Sequence, residues 1–250
     1  MKKHIQHIYL NKSAVFASLA MSFCYLCVSI ELWISSMSES VVAYRPSAFI
    51  YALEPILFGG VIYLFPFCAC LPITDRNVDE QLSKKSALNR ILYAFVSGGL
   101  AVSLPFLIHT ILWNALAIPV NPEQYESHSL QMFGLLNDLY DKLYGIPVYG
   151  IFFAGMFYSA GTYAVMHLLL RSAMKDRIVA FTVPSIFYFL WLKLSVTFAT
   201  TFFPSPVDLF DEGITAQNIP VSIAMYTVIL VTSSIAYYTY DRRKENKHEP

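Results

Sequence analysis

The sequence predicts an all-α, polytopic membrane protein: six transmembrane helices, with the N and C termini cytoplasmic. Three observations carry this reading. Charged residues make up only 14% of the chain and hydrophobic ones 56%, whereas a soluble domain carries roughly 25% charge to coat its surface. The apolar residues gather into six long runs. The basic residues fall on every second connection between those runs. Aromatic residues at 16% exclude a disordered chain. The balance of 17 Lys+Arg against 17 Asp+Glu excludes a strongly basic nucleic-acid binder.

The runs are Ala14–Met37, Ala48–Leu71, Ile91–Leu116, Ile146–Leu170, Ile178–Phe203 and Val221–Tyr240. Each holds about 20 residues or more, enough to cross a hydrocarbon layer of roughly 30 Å at a rise of 1.5 Å per residue. They lack the two-residue alternation of barrel strands, so helices are the expected spans. Of the 17 Lys and Arg, all but Arg45, Lys142 and Lys193 lie in the N-terminal segment, the second connection, the fourth connection and the tail. Glu39, Glu123, Glu126, Asp138, Asp141, Asp208, Asp211 and Glu212 fall on the other side. An excess of Lys and Arg marks the cytoplasmic side.

Residues 1–13 place Ile5, Ile8, Tyr9 and Leu10 among Lys, His and Gln, a pattern for a short helix on the cytoplasmic surface or for a frayed tail. No small-residue cleavage motif ends the first run, which reads as a retained signal anchor. Cys24-x-x-Cys27 has metal or redox spacing but no His or acid beside it, so these cysteines, with Cys68 and Cys70, read as small apolar residues. Three ionisable residues fall inside runs: Glu31, Glu54 and Lys193. Counted from the expected outer ends, they lie roughly 9, 10 and 15 Å deep. Lys193 is expected to pair with Glu54 or Glu31, fixing helix register or lining a substrate path.

The connection 72–90 is the most distinctive polar segment. Pro72 stops the second helix. Asn77 followed by Glu80 resembles an N-cap with an acid at the third position. Val78, Leu82, Leu88 and Ile91 form an apolar stripe, with Lys84 and Lys85 away from it. This predicts a short helix lying on the membrane surface or against a partner. Ser97-Gly98-Gly99 reads as small residues that let helices approach closely, and Pro105 as a kink in the third helix. The connection 117–145 carries Tyr125, Tyr140 and Tyr144, which suit an interfacial aromatic belt. His109 and His167 read as packed polar residues bonded to neighbouring helices. Residues 173–177 form a second, much shorter cytoplasmic connection, and 241–250 a basic tail. No H-E-x-x-H, G-x-S-x-G or P-loop motif is present. The residues alone leave three classes open: a transport subunit, a non-transporting accessory or sensor subunit, and a polytopic membrane enzyme. The last needs clustered catalytic groups, which the sequence does not display.

The six spans, the basic N-terminal segment and the long second connection together resemble a bacterial ABC-2-type transporter permease, similar to the membrane subunits of peptide-antibiotic immunity and export systems. The local likeness is greatest over Phe65–Tyr93, and the 170–184 region resembles the family's helix-turn-helix, with Pro184 in the fifth span. Asp79-Glu80-Gln81-Leu82 runs on without the glycine often seen at this place in the family. The resemblance implies one multi-pass transmembrane domain over 1–250, in the cell (plasma) membrane of a bacterium. It implies a permease that exports or clears a hydrophobic or peptide-like substrate and is not itself an enzyme. The connection 72–90 would be a coupling helix, in which Asp75, Asp79, Glu80, Lys84, Lys85 and Arg90, with Lys175 and Arg177, face a separate ATPase subunit. Partners would be that ATPase, a second permease subunit (identical or a sister chain) and membrane lipid, with no nucleic acid. The chain would bind no cofactor or metal of its own, ATP acting through the partner. The 203–220 loop matches the family's partly re-entrant outer helices.

Overall fold

The computed structural model describes residues 11–38, 61–75, 78, 82, 85–116, 146–198, 205–206 and 218–245. They form α1 (Lys12–Ser38), α2 (Val61–Cys70) with a 3₁₀ turn at Leu71–Ile73, α3 (Ala87–Leu116), α4 (Ile146–Ala173), α5 (Arg177–Phe198) and α6 (Asn218–Glu245). No strand occurs among the described residues. Among the described residues, five helices are long and apolar enough to cross a membrane, over Lys12–Glu31, Ala87–Trp113, Tyr149–Ala173, Arg177–Thr197 and Pro220–Lys244. α2 is described over 10 residues as a shorter apolar helix. The part of the expected second span before it lies outside the described residues, as do residues 1–10 of the expected surface helix.

The helix starts follow from side-chain chemistry at positions the apolar pattern does not mark. Asn11 Oδ1 accepts the Ala14 N–H at 2.6 Å, so α1 starts at Lys12, ahead of the expected Ala14. Ser86 Oγ accepts the Asn89 N–H at 3.4 Å, and α3 starts a turn before Ile91. Asp176 Oδ1 accepts the N–H groups of Ile178 at 2.8 Å and Val179 at 3.3 Å, which opens α5. α6 runs past Tyr240 to Glu245, so half of the expected tail is helical. Arg242, Arg243 and Lys244 in its last turn suit the negative end of the helix dipole.

Prolines sit inside α2 (Pro66), α3 (Pro105) and α5 (Pro184), and each leaves one backbone carbonyl without its i+4 donor. Pro105 frees the carbonyl of Ala101, which accepts the Ser18 hydroxyl of α1 at 3.3 Å. Pro184 frees the carbonyl of Ala180, which lies 3.0 Å from His167 Nδ1 of α4. A bare carbonyl in hydrocarbon costs several kcal/mol, and at Pro105 and Pro184 the freed carbonyl meets a side chain of the neighbouring helix.

The closest helix pair is α3 with α4, and its glycines explain why. A Cβ on Gly98 would overlap the Ala164 methyl and come within 2.7 Å of the Ala69 carbonyl oxygen. One on Gly99 would meet the Phe157 ring at 2.7 Å, and one on Gly161 the Phe95 ring at 2.7 Å. Phe95 and Phe157 then meet edge to face at 5.5 Å. Ser97-Gly98-Gly99 thus acts as the close-packing segment that small residues predict. α1, α2 and α5 form a row on one side of the α3–α4 pair, and α6 covers another side against α4 and α3. Tyr163, Tyr188 and Tyr226, all fully buried, join α4, α5 and α6 in the middle of the bundle, with centroids 5.7 and 6.0 Å from Tyr163.

Candidate functional site: the basic end of the bundle

Asn11, beyond capping α1, donates through Nδ2 to the Pro72 carbonyl at 2.8 Å and to the Tyr93 hydroxyl at 2.9 Å. One buried amide therefore ties α1, the turn after α2 and the first turns of α3 together. Below this knot the connection to α3 is held against the bundle. Val78 and Leu82 have helical backbone and are 6% and 4% exposed. They join Ile73, Ala87, Tyr93 and Leu168 in a second apolar cluster. The stripe expected to lie on lipid or a partner thus points inward for these two residues, whereas Leu88 is exposed.

Arg90 closes the connection. Its Nε donates to the Lys85 carbonyl at 2.9 Å, and Nη1 to the Tyr237 hydroxyl at 3.0 Å and Asp241 Oδ1 at 2.7 Å. Both side chains of the ion pair are largely buried, at 15% and 14% exposure. Arg90 was expected to face a partner. The structure turns it inward, where it fixes the end of the connection to α6. Asp241 and Tyr237 are the participants that sequence reasoning missed. Their only signal is an acid directly after an apolar run and one turn beyond a tyrosine.

The other expected residues separate into three groups. Asp75 and Lys85 are half-buried, while Asp79, Glu80 and Lys84 lie outside the described residues. Lys175 and Arg177 are exposed in the α4–α5 turn on either side of Asp176, the α5 cap. Glu31 and Lys193 are exposed, and neither has an ion-pair partner among the described residues. Glu54 lies outside the described residues.

Both intramembrane histidines bond to groups of the bundle, while the buried His167 Nε2 has no hydrogen-bond partner among the described residues. Trp113 Nε1 donates to His109 Nε2 at 3.0 Å, Ser29 Oγ lies 2.6 Å from the same nitrogen, and Tyr25 packs on the ring at 5.2 Å. His167 serves the Ala180 carbonyl, with Phe181 edge-on at 5.7 Å. Replacing His167 with leucine is expected to lower stability by about 2 kcal/mol or more, because it strands the carbonyl that Pro184 already deprived of a donor. His167→Asn places an amide near the lost Nδ1 and recovers most of it. Thermal melting in mild detergent reads both. From the middle of the bundle, the Tyr226 hydroxyl donates to the carbonyl of buried Pro206 at 2.6 Å, which ties that point of the 203–220 connection to α6. The four cysteines are free, and no cluster of metal-ligating residues occurs among the described residues.

Chemically, the basic end offers a stiff platform. A connection is clamped by Asn11 at one end and Arg90 at the other, and beside it a tight turn displays two cations. Comparison with protein-family models, with curated proteins and with solved structures finds no match to this chain.

Proposed function

We infer that the chain is the membrane-spanning permease subunit of an ATP-driven transporter of the ABC-2 type, with its basic end in the cytoplasm. The observation that supports this best is the mechanical joining of the 72–90 connection to the helices. A force applied to a loosely tethered loop is lost in loop motion. Here Asn11 links its start to α1 and α3, Val78 and Leu82 seat it on the bundle, and Arg90 links its end to α6. A partner that pushes on this connection moves three helices at once. The sequence carries no nucleotide-binding motif, so the ATP chemistry belongs to the partner. The apolar helices suit a hydrophobic or peptide-like substrate, and the proline-containing helices α2, α3 and α5 suit a bundle that rocks between states.

The test uses the full-length chain in its native membrane. Lys84→Glu combined with Lys85→Glu reverses two charges of the connection. It is expected to reduce recovery of a P-loop ATPase with the tagged chain by about tenfold. Lys142→Glu, on the opposite side by sequence, leaves recovery unchanged. Equal recovery from the wild type and both variants removes the connection from the coupling role.

A further inference from the structure

We propose that the seam of α2, α4 and α5 binds one internal water molecule, held between His167 Nε2 of α4 and Ser185 Oγ of α5. The inference concerns how α5 is gripped across its proline, and it stands or falls without the transporter reading.

His167 and Ser185 are each only 1% exposed. His167 Nε2 and Ser185 Oγ are closed to the surroundings, and neither has a hydrogen-bond partner among the described residues. The rest of each side chain sets what these atoms need. The Ala180 carbonyl can only accept, so His167 Nδ1 carries the proton. No carboxylate is buried among the described residues, and an uncompensated charge inside a span is costly, so the ring is neutral. Nε2 is then an acceptor in need of a donor. Ser97, Thr162 and Ser195, also buried, turn their hydroxyls back onto their own helices at 3.3, 2.9 and 2.8 Å. Ser185 does not, so its hydroxyl is left to both donate and accept.

Packing brings the two to one level. His167 meets Phe181 edge-on at 5.7 Å, and Tyr163, one turn earlier on α4, meets Tyr188 edge-on at 5.7 Å. Ser185 lies between Phe181 and Tyr188 on the same face of α5, so it stands opposite the interval between His167 and Tyr163. Counted from the α4–α5 turn, His167 is about 9 Å along α4 and Ser185 about 12 Å along α5. Helical side chains lean toward the N-terminus of their helix, which for α4 is away from the turn, so the imidazole makes up the difference. α2 closes the third side. Phe67 lies 5.8 Å from Phe181, and Cys70 Sγ donates to the Tyr163 carbonyl at 3.7 Å. Cys70, Tyr163 and Tyr188 are fully buried, so an occupant of this seam is small. Water gives Nε2 its donor and Ser185 either role, which is how internal waters serve buried polar groups.

The consequence lies in where the two bonds fall relative to Pro184. Ala180 precedes the proline by one turn and Ser185 follows it. His167 therefore grips α5 on both sides of the break, directly through Nδ1 and by way of the water through Nε2. One imidazole of α4 holds the two halves of a proline-broken span in register.

The test is solid-state nuclear magnetic resonance of the full-length chain in lipid vesicles, isotopically labelled at its histidine nitrogens. The His167 signals are those lost in His167→Asn. The expected wild-type spectrum has Nδ1 protonated and Nε2 unprotonated but hydrogen-bonded, with polarisation passing from water to Nε2. Ser185→Ala takes one partner from the water and is expected to reduce that transfer about twofold. Ser185→Val fills the site with methyl groups and is expected to reduce it about tenfold, leaving the Nδ1 signal in place. A bare Nε2 without transfer, a protonated Nε2, or a hydrogen-bonded Nε2 that receives nothing from water, its donor then being a protein hydroxyl, would each overturn the proposal. Full transfer in Ser185→Val would do the same. Should that variant fail to fold, the wild type and Ser185→Ala decide, and transfer that Ser185→Ala leaves unchanged overturns the proposal.

Discussion

Gly98→Ala is expected to destabilise the protein by about 2–3 kcal/mol, and Gly98→Leu to remove folded protein from the membrane fraction altogether. The reason is geometric. The added Cβ would meet the Ala164 methyl on one side and the Ala69 backbone carbonyl on the other. Neither is the free end of a flexible side chain, so relief requires α3 to move away from α4 and α2 together. Without a hydrophobic drive between helices in lipid, that close contact is itself the source of association. Gly150→Ala is the control, because nothing lies within 4 Å of its Cβ position. It is expected to be neutral, or to stabilise by about 0.5 kcal/mol through helix propensity. Thermal melting in detergent, with the yield of monodisperse protein, separates the two glycines. Equal behaviour would mean that the α3–α4 contact is not as close as described.

The second large effect is at Arg90. Arg90→Met leaves Asp241 largely buried with no counter-charge and is expected to cost about 2–3 kcal/mol. Asp241→Leu strands the guanidinium and costs a similar amount. Arg90→Met with Asp241→Leu replaces the pair by apolar contacts and is expected to cost much less than the two changes added together, by at least about 1.5 kcal/mol. A double-mutant cycle in melting free energy measures this. An additive cycle would show that the pair does not act as a unit. The same double variant separates stability from coupling, since it keeps α6 packed while removing the charged link between the connection and α6.

Much of the fold was legible because lipid leaves few choices. A run of about 20 apolar residues must be a helix, and Ser97-Gly98-Gly99 within one must be a contact. The caps were less so. Asn11, Ser86 and Asp176 sit just outside the apolar pattern, and each starts its helix ahead of the run. Partners across the bundle were not legible at all. Pro105 and Pro184 announce a free carbonyl at Ala101 and Ala180, but nothing in the sequence says that Ser18 and His167 reach them. The amphipathic stripe through Val78 and Leu82 fixes which residues share a face, and the face turned out to be covered by α3, α4 and α6. Arg90 reads as a surface cation until the extension of α6 brings Asp241 beside it. Glu31 and Lys193 read as charges inside their spans that pair with one another or through Glu54; both are exposed, and Glu54 lies outside the described residues.

The transporter reading makes this bundle the membrane half of a two-component, ATP-driven machine. Its most direct test is to isolate the tagged wild-type chain from its native membrane in mild detergent, identify its companions by mass spectrometry, and measure ATP hydrolysis by the isolated material after reconstitution in lipid. A stoichiometric P-loop ATPase is expected, with hydrolysis that falls when Lys84 and Lys85 are both changed to glutamate. Isolation of the intact chain with no ATPase and no hydrolysis would contradict it, and would leave a membrane subunit with no source of transport energy.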